Sequence, residues 1–254
     1  MQFRLLGPLE VTDAGGRWQP VTGPRQRVLL ATLLLNPNRP ISVDELAETV
    51  WDGVPPKGYA QTLRSHVMRL RRSLQTSDPL RLQARAPGYA LEVADHELDV
   101  HRFETLCRDA AEQRRAGVWM AVADTAERAL SLWRAQPLLD VPSQLLSRTV
   151  VPRLEQLRLQ VLESRLDAEL RLGRHHSVVP QLQTLVAVHP LHERFHAQLM
   201  LSLSRTGRRV EALAVYRSAR RLLIDELGVE PGPELARVHQ SILSGDDLVF
   251  ERAA

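Results

Sequence analysis

Residues 58–76 read GYAQTLRSHVMRLRRSLQT, and their spacing decides what the chain around them must do. Leu63, Val67, Leu70 and Leu74 stand at i, i+4, i+7 and i+11. At about 100° per residue they form one narrow apolar stripe, which predicts a helix with that stripe against a core. Two polar stripes remain. One holds Thr62, Ser65, Arg69 and Arg72, with His66 beside it; the other holds Arg64, Met68 and Arg71, with Gln61 beside it. No acidic residue lies between Lys57 and Thr76. A helix made only to face solvent more often alternates Arg with Glu for i,i+4 pairing. Small hydroxyls beside arginines allow close approach to base edges, with Arg reaching guanine or phosphate.

The flanks of this helix define its setting. Gln2–Leu6 and Leu9–Thr12 are short apolar runs split by Gly7-Pro8, and Ala14-Gly15-Gly16 is a turn. Residues 25–36, RQRVLLATLLLN, predict a helix ended by Asn36-Pro37. Ser42 and Glu45 have capping-box spacing and start a second helix that stops near Asp52-Gly53. Pro55-Pro56 makes a rigid entry to the third helix, which ends at Asp78-Pro79. LRLQ and YALEV then flank Arg85-Ala86-Pro87-Gly88, a hairpin turn in which Pro presets φ and Gly allows φ > 0. Strands, three helices with a basic third, then a hairpin describe a winged helix-turn-helix.

Composition narrows the function classes. The 254 residues are 44% hydrophobic and 25% charged, ordinary for a globular chain and long enough for one large or two small domains. One cysteine, Cys107, excludes an internal disulfide framework and a Cys-rich zinc site, and suits a reducing cytoplasm. The N-terminus has no signal-peptide pattern, and no apolar run approaches 18 residues, so no membrane partner is expected. The net charge of +3 is unevenly placed: residues 1–94 carry +4 and residues 95–254 carry −1. Residues 57–85 alone carry +6, the footprint of a polyanion partner, although a solvated face has the same charge.

From Asp95 onward the chain reads as nearly all helical. Gly173 and Gly207 lie 34 residues apart, each after a Leu-rich helix and before Arg, which is the tetratricopeptide period. Ala219 and Pro231 fall where such repeats place a small residue and a terminal Pro. Pro190 breaks the regularity, so stacked helical hairpins are expected rather than a strict array. The expected fold class is α+β, mainly α. Its parts are a winged helix over 1–94, a tetratricopeptide-like helical domain over 95–245 and a tail over 246–254.

The stretch LAETVWDGVPPKGYAQTLRSHVMRLRRSL with the APGY turn resembles the OmpR-type winged helix. LDVHRFETL, ALSLWRAQPLLDV, HPLHERFHAQLMLSLSRTGRRVEAL and YRSARRLLIDELGVEPGPEL resemble the bacterial transcriptional activation domain. Together they resemble the streptomycete antibiotic regulatory protein family, over about Phe3 to Ile242. The resemblance implies a pathway-specific activator of a secondary-metabolite cluster. Such an activator binds direct repeats in double-stranded promoter DNA near −35, in pairs of protomers, and recruits RNA polymerase holoenzyme through its sigma subunit. It implies base contacts by Thr62, Arg64, Ser65 and Arg69, and phosphate contacts by Trp51, Lys57, Gln61, His66, Arg71, Arg72 and Tyr89. Arg85 at the wing tip would enter the minor groove. Packing is a competing role for Trp51, solvation for His66, and closing the hairpin for Tyr89. Met68 stands where such helices often carry a basic residue.

His192-Glu193-Arg194-Phe195-His196 matches H-E-x-x-H, the zinc-protease pattern; the site needs a third ligand, and Glu211 lies 15 residues on, but no downstream pattern of the metzincin type follows. No G-x-x-x-x-G-K-[ST] loop and no G-x-S-x-G elbow occur, so no enzyme activity, metal or cofactor is expected. The rival readings are a helical-repeat scaffold that binds protein alone, a repressor, and the DNA-binding fragment of a larger ATPase-linked regulator.

Overall fold

The structure is a computed structural model that describes residues 1–13, 15–74 and 81–245. Ala14, the helix stop at Asp78-Pro79, Leu80 of the first wing run and the tail 246–254 lie outside the described residues. Contacts group the chain into two compact units: Met1–Arg108 with Arg128–Leu159, and Asp109–Glu127 with Gln160–Ala254.

The first unit begins with an antiparallel sheet of β1 (Phe3–Arg4), β2 (Glu10–Thr12) and β3 (Trp18–Pro20), in the order β1-β2-β3. Phe3 faces Val11, and Thr12 faces Trp18. Next come α1 (Pro24–Leu35), β4 (Ile41–Ser42), α2 (Val43–Val50), α3 (Tyr59–Leu74), β5 (Leu82–Arg85) and β6 (Gly88–Leu91). The second sheet runs β4-β6-β5, so the wing hairpin has a third strand from the start of the helix-turn-helix. The architecture is a winged helix-turn-helix, as the element order predicts.

Local chemistry explains these boundaries. Pro24 opens α1 at a position where the missing N–H costs nothing. Ser42 caps α2 by accepting the Glu45 N–H at 3.1 Å, so the capping reading holds. Asp52 and Gly53 end the following turn with φ of 50° and 83°. The turn reading of Gly88 needs correction: its φ is not positive, and its role is close approach. A Cβ there would stand 2.0 Å from the Ile41 carbonyl oxygen, because β4 crosses directly over it.

The expected strand Gln2–Leu6 shrinks to two residues because Leu5 and Leu6 turn their N–H groups elsewhere. Both donate to the Asp99 carboxylate, at 2.8 and 3.0 Å. Their carbonyls accept from Leu138 and Arg134 N–H groups, each at 2.9 Å, and Leu9 N–H donates to Asp140 at 2.7 Å. The segment 134–140 therefore satisfies the backbone of the β1–β2 connection. This is why the expected division at 94–95 falls inside a compact unit. The same unit holds α4 (Asp99–Arg115) as far as Arg108, and the short α6 (Gln144–Thr149), which is capped by Ser143.

In the second unit, α5 (Trp119–Leu130) contributes up to Glu127 and α7 (Val151–Arg171) from Gln160. They are joined by α8 (His175–Val188), α9 (Glu193–Arg205), α10 (Arg209–Leu227) and α11 (Pro233–Ser244). Helix α9 is central, packed by α8, α10 and α11, and its residues from Phe195 to Leu203 are all buried. Gly173 and Gly207 sit in three-residue turns at φ of 75° and 78°. They close the α7–α8 and α9–α10 hairpins, so the 34-residue period marks tetratricopeptide-like pairs. Arg194 is the polar tie of this unit, bound to Glu163, Asp167 and Glu234.

Two outcomes test this packing. Gly88→Ala is expected to lower unfolding free energy by about 1–3 kcal/mol, read as a lower urea midpoint, because the β4 backbone must move. An unchanged midpoint would contradict the close approach. Asp99→Asn, which keeps size but leaves one of two buried N–H groups facing a donor, is expected to cost about 1–3 kcal/mol. Wild-type stability in that variant would show that Asp99 does not hold the strand.

Candidate nucleic-acid interface

Helix α3 buries Leu63, Val67, Leu70 and Leu74 against α1 and α2, as the stripe predicts. The opposite face is open. Gln61, Thr62, Arg64, Ser65, Met68, Arg69 and Arg72 are exposed, and Lys57 is exposed just before the helix. Thr62, Ser65, Arg69 and Arg72 share one side of that face, Arg64 the other. No carboxylate belongs to α3, so the arginines stand without neutralising partners on their own helix. The Ser65 hydroxyl bonds back to the Gln61 carbonyl at 3.2 Å, which holds its oxygen close to the backbone.

Four of the expected contact residues are half-buried in the frame around the helix. Arg71 is half-buried and donates through Nε to the Leu82 carbonyl at 3.0 Å, clamping α3 to β5. Its Nη1 also approaches the Met68 sulfur at 3.8 Å, so the missing basic residue at 68 leaves a thioether that shapes Arg71. His66 is half-buried beside the Trp51 ring, 6.1 Å between centroids. Gln26 Nε2 lies 3.3 Å from His66 Nδ1, a bond that needs Nδ1 unprotonated. Burial, with Arg69 and Arg25 nearby, pushes the His66 pKa below its ordinary value, so the ring is neutral at pH 7. Trp51 is half-buried, with the Arg25 guanidinium 5.9 Å from its ring centroid. Tyr89 is half-buried in β6, paired with Ile41 on one side and Ala84 on the other.

The wing presents Arg85 at its tip, exposed, with Nη2 bonded to Glu92 at 2.6 Å and Nε to Gln83 at 3.0 Å. Arg85 is thus held in one orientation by its own hairpin. Arg71 joins α3 to the wing and β4 joins α2 to the wing, while Lys57, Gln61 and Thr62 lie at the amino end of α3.

Several positioning residues escaped the sequence reading. Tyr59 donates to Asp44 at 2.6 Å, fastening the start of α3 to the start of α2. Arg25 bonds the Val50 carbonyl at the end of α2. Asn38 makes a two-way bond with the Val93 backbone, at 2.9 and 3.0 Å, which closes the wing on the α1–β4 turn. Asp52 accepts from Ser143 Oγ at 2.9 Å and Leu145 N–H at 3.2 Å, tying the helix-turn-helix to the α6 cap. The only sequence cue for these was their polar type beside turns.

In the H-E-x-x-H stretch each imidazole is engaged by a different group. His192 precedes α9, stacks on Phe195 at 4.3 Å and pairs with Glu163 at 3.0 Å, which raises its pKa. His196 lies within α9 and binds the Pro190 carbonyl at 2.8 Å. Glu193 accepts the Gly232 N–H at 2.6 Å. His192, Glu193 and His196 thus each have a separate partner, on α7, before α11 and before α9 respectively.

The lowered His66 pKa has a sign that can be checked. The unfolded ring takes a proton near 6.5 and the folded ring only at lower pH, so stability is retained above 6.5 and falls as pH drops below it. His66→Gln is expected to lose less melting temperature between pH 7.5 and pH 5 than wild type. Equal losses would remove His66 as the source.

Comparison with known proteins agrees with this architecture. Residues 98–243 match the family model of the bacterial transcriptional activator domain, and residues 20–91 match that of the transcriptional regulatory protein C terminus. Regulatory protein AfsR of Streptomyces coelicolor is 40% identical over 100% of this chain but 25% of its own length. Regulatory protein DnrI of Streptomyces peucetius is 34% identical over 97% of this chain and 93% of its own. A solved structure of Mycobacterium tuberculosis EmbR in complex with a low-affinity phosphopeptide superposes with a TM-score of 0.93 at 32% identity. It covers 98% of this chain and 66% of that one. The chain therefore spans about a quarter of the AfsR relative and nearly all of DnrI. With both family regions matched and relatives this similar, the chain belongs to the streptomycete antibiotic regulatory protein family of transcriptional regulators.

Proposed function

We propose that this chain is a sequence-specific transcriptional activator of a secondary-metabolite, antibiotic-type gene cluster, acting in the cytoplasm on promoter DNA. The observation that carries this reading is the open face of α3. Arg64, Arg69 and Arg72 are exposed there with Thr62 and Ser65 between them, and the helix has no carboxylate. In the major groove, Thr62, Arg64, Ser65 and Arg69 read base edges, while Lys57, Gln61 and Arg72 bind phosphates. Trp51, Tyr89 and the neutral His66 add only uncharged donors, and Arg71 is shared between the wing and the backbone of DNA. Arg85 enters the adjacent minor groove.

Two protomers occupy direct repeats near −35, so helix and wing recur at about one helical turn, roughly 34–36 Å. The bound pair then offers a surface to the sigma subunit of RNA polymerase holoenzyme. A two-fold palindromic footprint would contradict the repeat arrangement. Normal DNA binding without stimulation in a reconstituted transcription reaction would remove the recruitment step.

Fluorescence anisotropy with the promoters beside its own gene, at two salt concentrations, tests the DNA reading. Arg69→Ala is expected to cost about 1–3 kcal/mol and relax base preference. Arg72→Ala is expected to weaken all duplexes alike and lower the salt slope by about 1. Binding that is unselective and unchanged by both substitutions would leave α3 a solvated face and favour the protein-binding scaffold.

A further inference from the structure

A cavity of about 100 Å³ opens within the first unit, beside the β1-β2-β3 sheet and the start of α4. Arg4, Trp18, Arg102, Ser131 and Arg134 line it, together with Glu97 and Asp99. Three guanidinium groups thus face two carboxylates, and both carboxylates are already committed. Glu97 holds Arg81 at 2.8 Å, the Ala94 N–H at 3.0 Å and the terminal ammonium at 3.5 Å. Asp99 holds the Leu5 and Leu6 N–H groups. Arg134 is committed as well, to Glu10 at 2.7 Å and the Pro8 carbonyl at 2.9 Å.

The other two arginines differ. Arg4 lies flat over Trp18, 3.6 Å from the ring centroid, and its nearest ion-pair partner, Glu10, is 4.0 Å away. Among the described residues, the Arg102 guanidinium has no hydrogen-bond or ion-pair partner. Burial first, then Arg134 and to a smaller extent Arg102, pushes the Arg4 pKa down, while Glu10, which pairs with Arg134 as well, and Asp99 push it up. A stacked guanidinium keeps its in-plane N–H fork free for an oxyanion. The volume suits roughly one tetrahedral ion or a few waters.

We propose that Arg4 and Arg102, with Arg4 held flat by Trp18, form a binding site for a phosphate-sized oxyanion. The ion is either free phosphate or the phosphoryl group of a small metabolite. When filled, the site bridges β1 to α4 beside the strand that Asp99 anchors. This site is independent of α3 and of the DNA reading.

The test is isothermal titration of the full chain at pH 7 and constant ionic strength, with inorganic phosphate, glycerol 3-phosphate and acetate as probes. Saturable one-to-one binding of a phosphoryl probe is expected, weakened about tenfold or more by Arg102→Ala and partly restored in Arg102→Lys. Arg4→Gln serves as the second variant, and melting curves without phosphate establish that each variant is folded. Tighter binding of inorganic phosphate assigns the free ion; tighter binding of glycerol 3-phosphate assigns a metabolite. No saturable binding of either, equal binding by folded Arg102→Ala, or stoichiometric displacement of phosphate by a promoter duplex would overturn the proposal.

Discussion

Two backbone N–H groups, those of Leu5 and Leu6, end on one buried carboxylate, Asp99. A buried donor without a partner is costly, so this bond decides where the first strand stops and where α4 begins. Burial raises the Asp99 pKa, and the N–H groups of Leu6 and Leu5 work against that rise. The consequence reaches further than one strand. With Leu5 and Leu6 turned toward α4, their carbonyls are left for Leu138 and Arg134. The winged helix-turn-helix and the segment Arg128–Leu159 are thereby built into one compact unit.

The same logic governs the helix-turn-helix. The apolar stripe of α3 supplies the burial, but burial alone leaves a helix free to rotate about its axis or slide. Polar bonds remove that freedom. Tyr59 fixes the amino end to α2, Arg71 fixes the carboxyl half to β5, and His66 meets Gln26 of α1 at its side. The open arginines are presented by a helix whose register is set from three directions.

Much of this was legible in the sequence, for identifiable reasons. The stripe at 63, 67, 70 and 74, the Ser42 cap and the paired turn glycines at 173 and 207 are local patterns, and local patterns survive in one dimension. What the sequence hid was long-range. Strand β4 is two residues long and gains its meaning only by lying on β6. Strand β3 at Trp18–Pro20 carries a Pro and no alternation, and pairs because it is an edge. Gly88 resembled a turn glycine because Pro precedes it, whereas the demand comes from Ile41, 47 residues earlier. For the interface, exposed residue types were readable, but the half-buried posts of His66, Arg71 and Trp51 depended on neighbours in α1, α2 and the wing.

The wing and α3 share a frame: β4 lies against Gly88, and Arg71 reaches Leu82. The angle between reading helix and hairpin is therefore a property of backbone contacts and one clamp, separate from the side chains that face outward. On the DNA reading, exchanges at Thr62, Arg64, Ser65 or Arg69 change which bases are preferred while the distance between major-groove and minor-groove contacts stays constant. A regulator built this way can acquire a new operator alphabet by surface exchange alone, without relearning how to sit on the duplex.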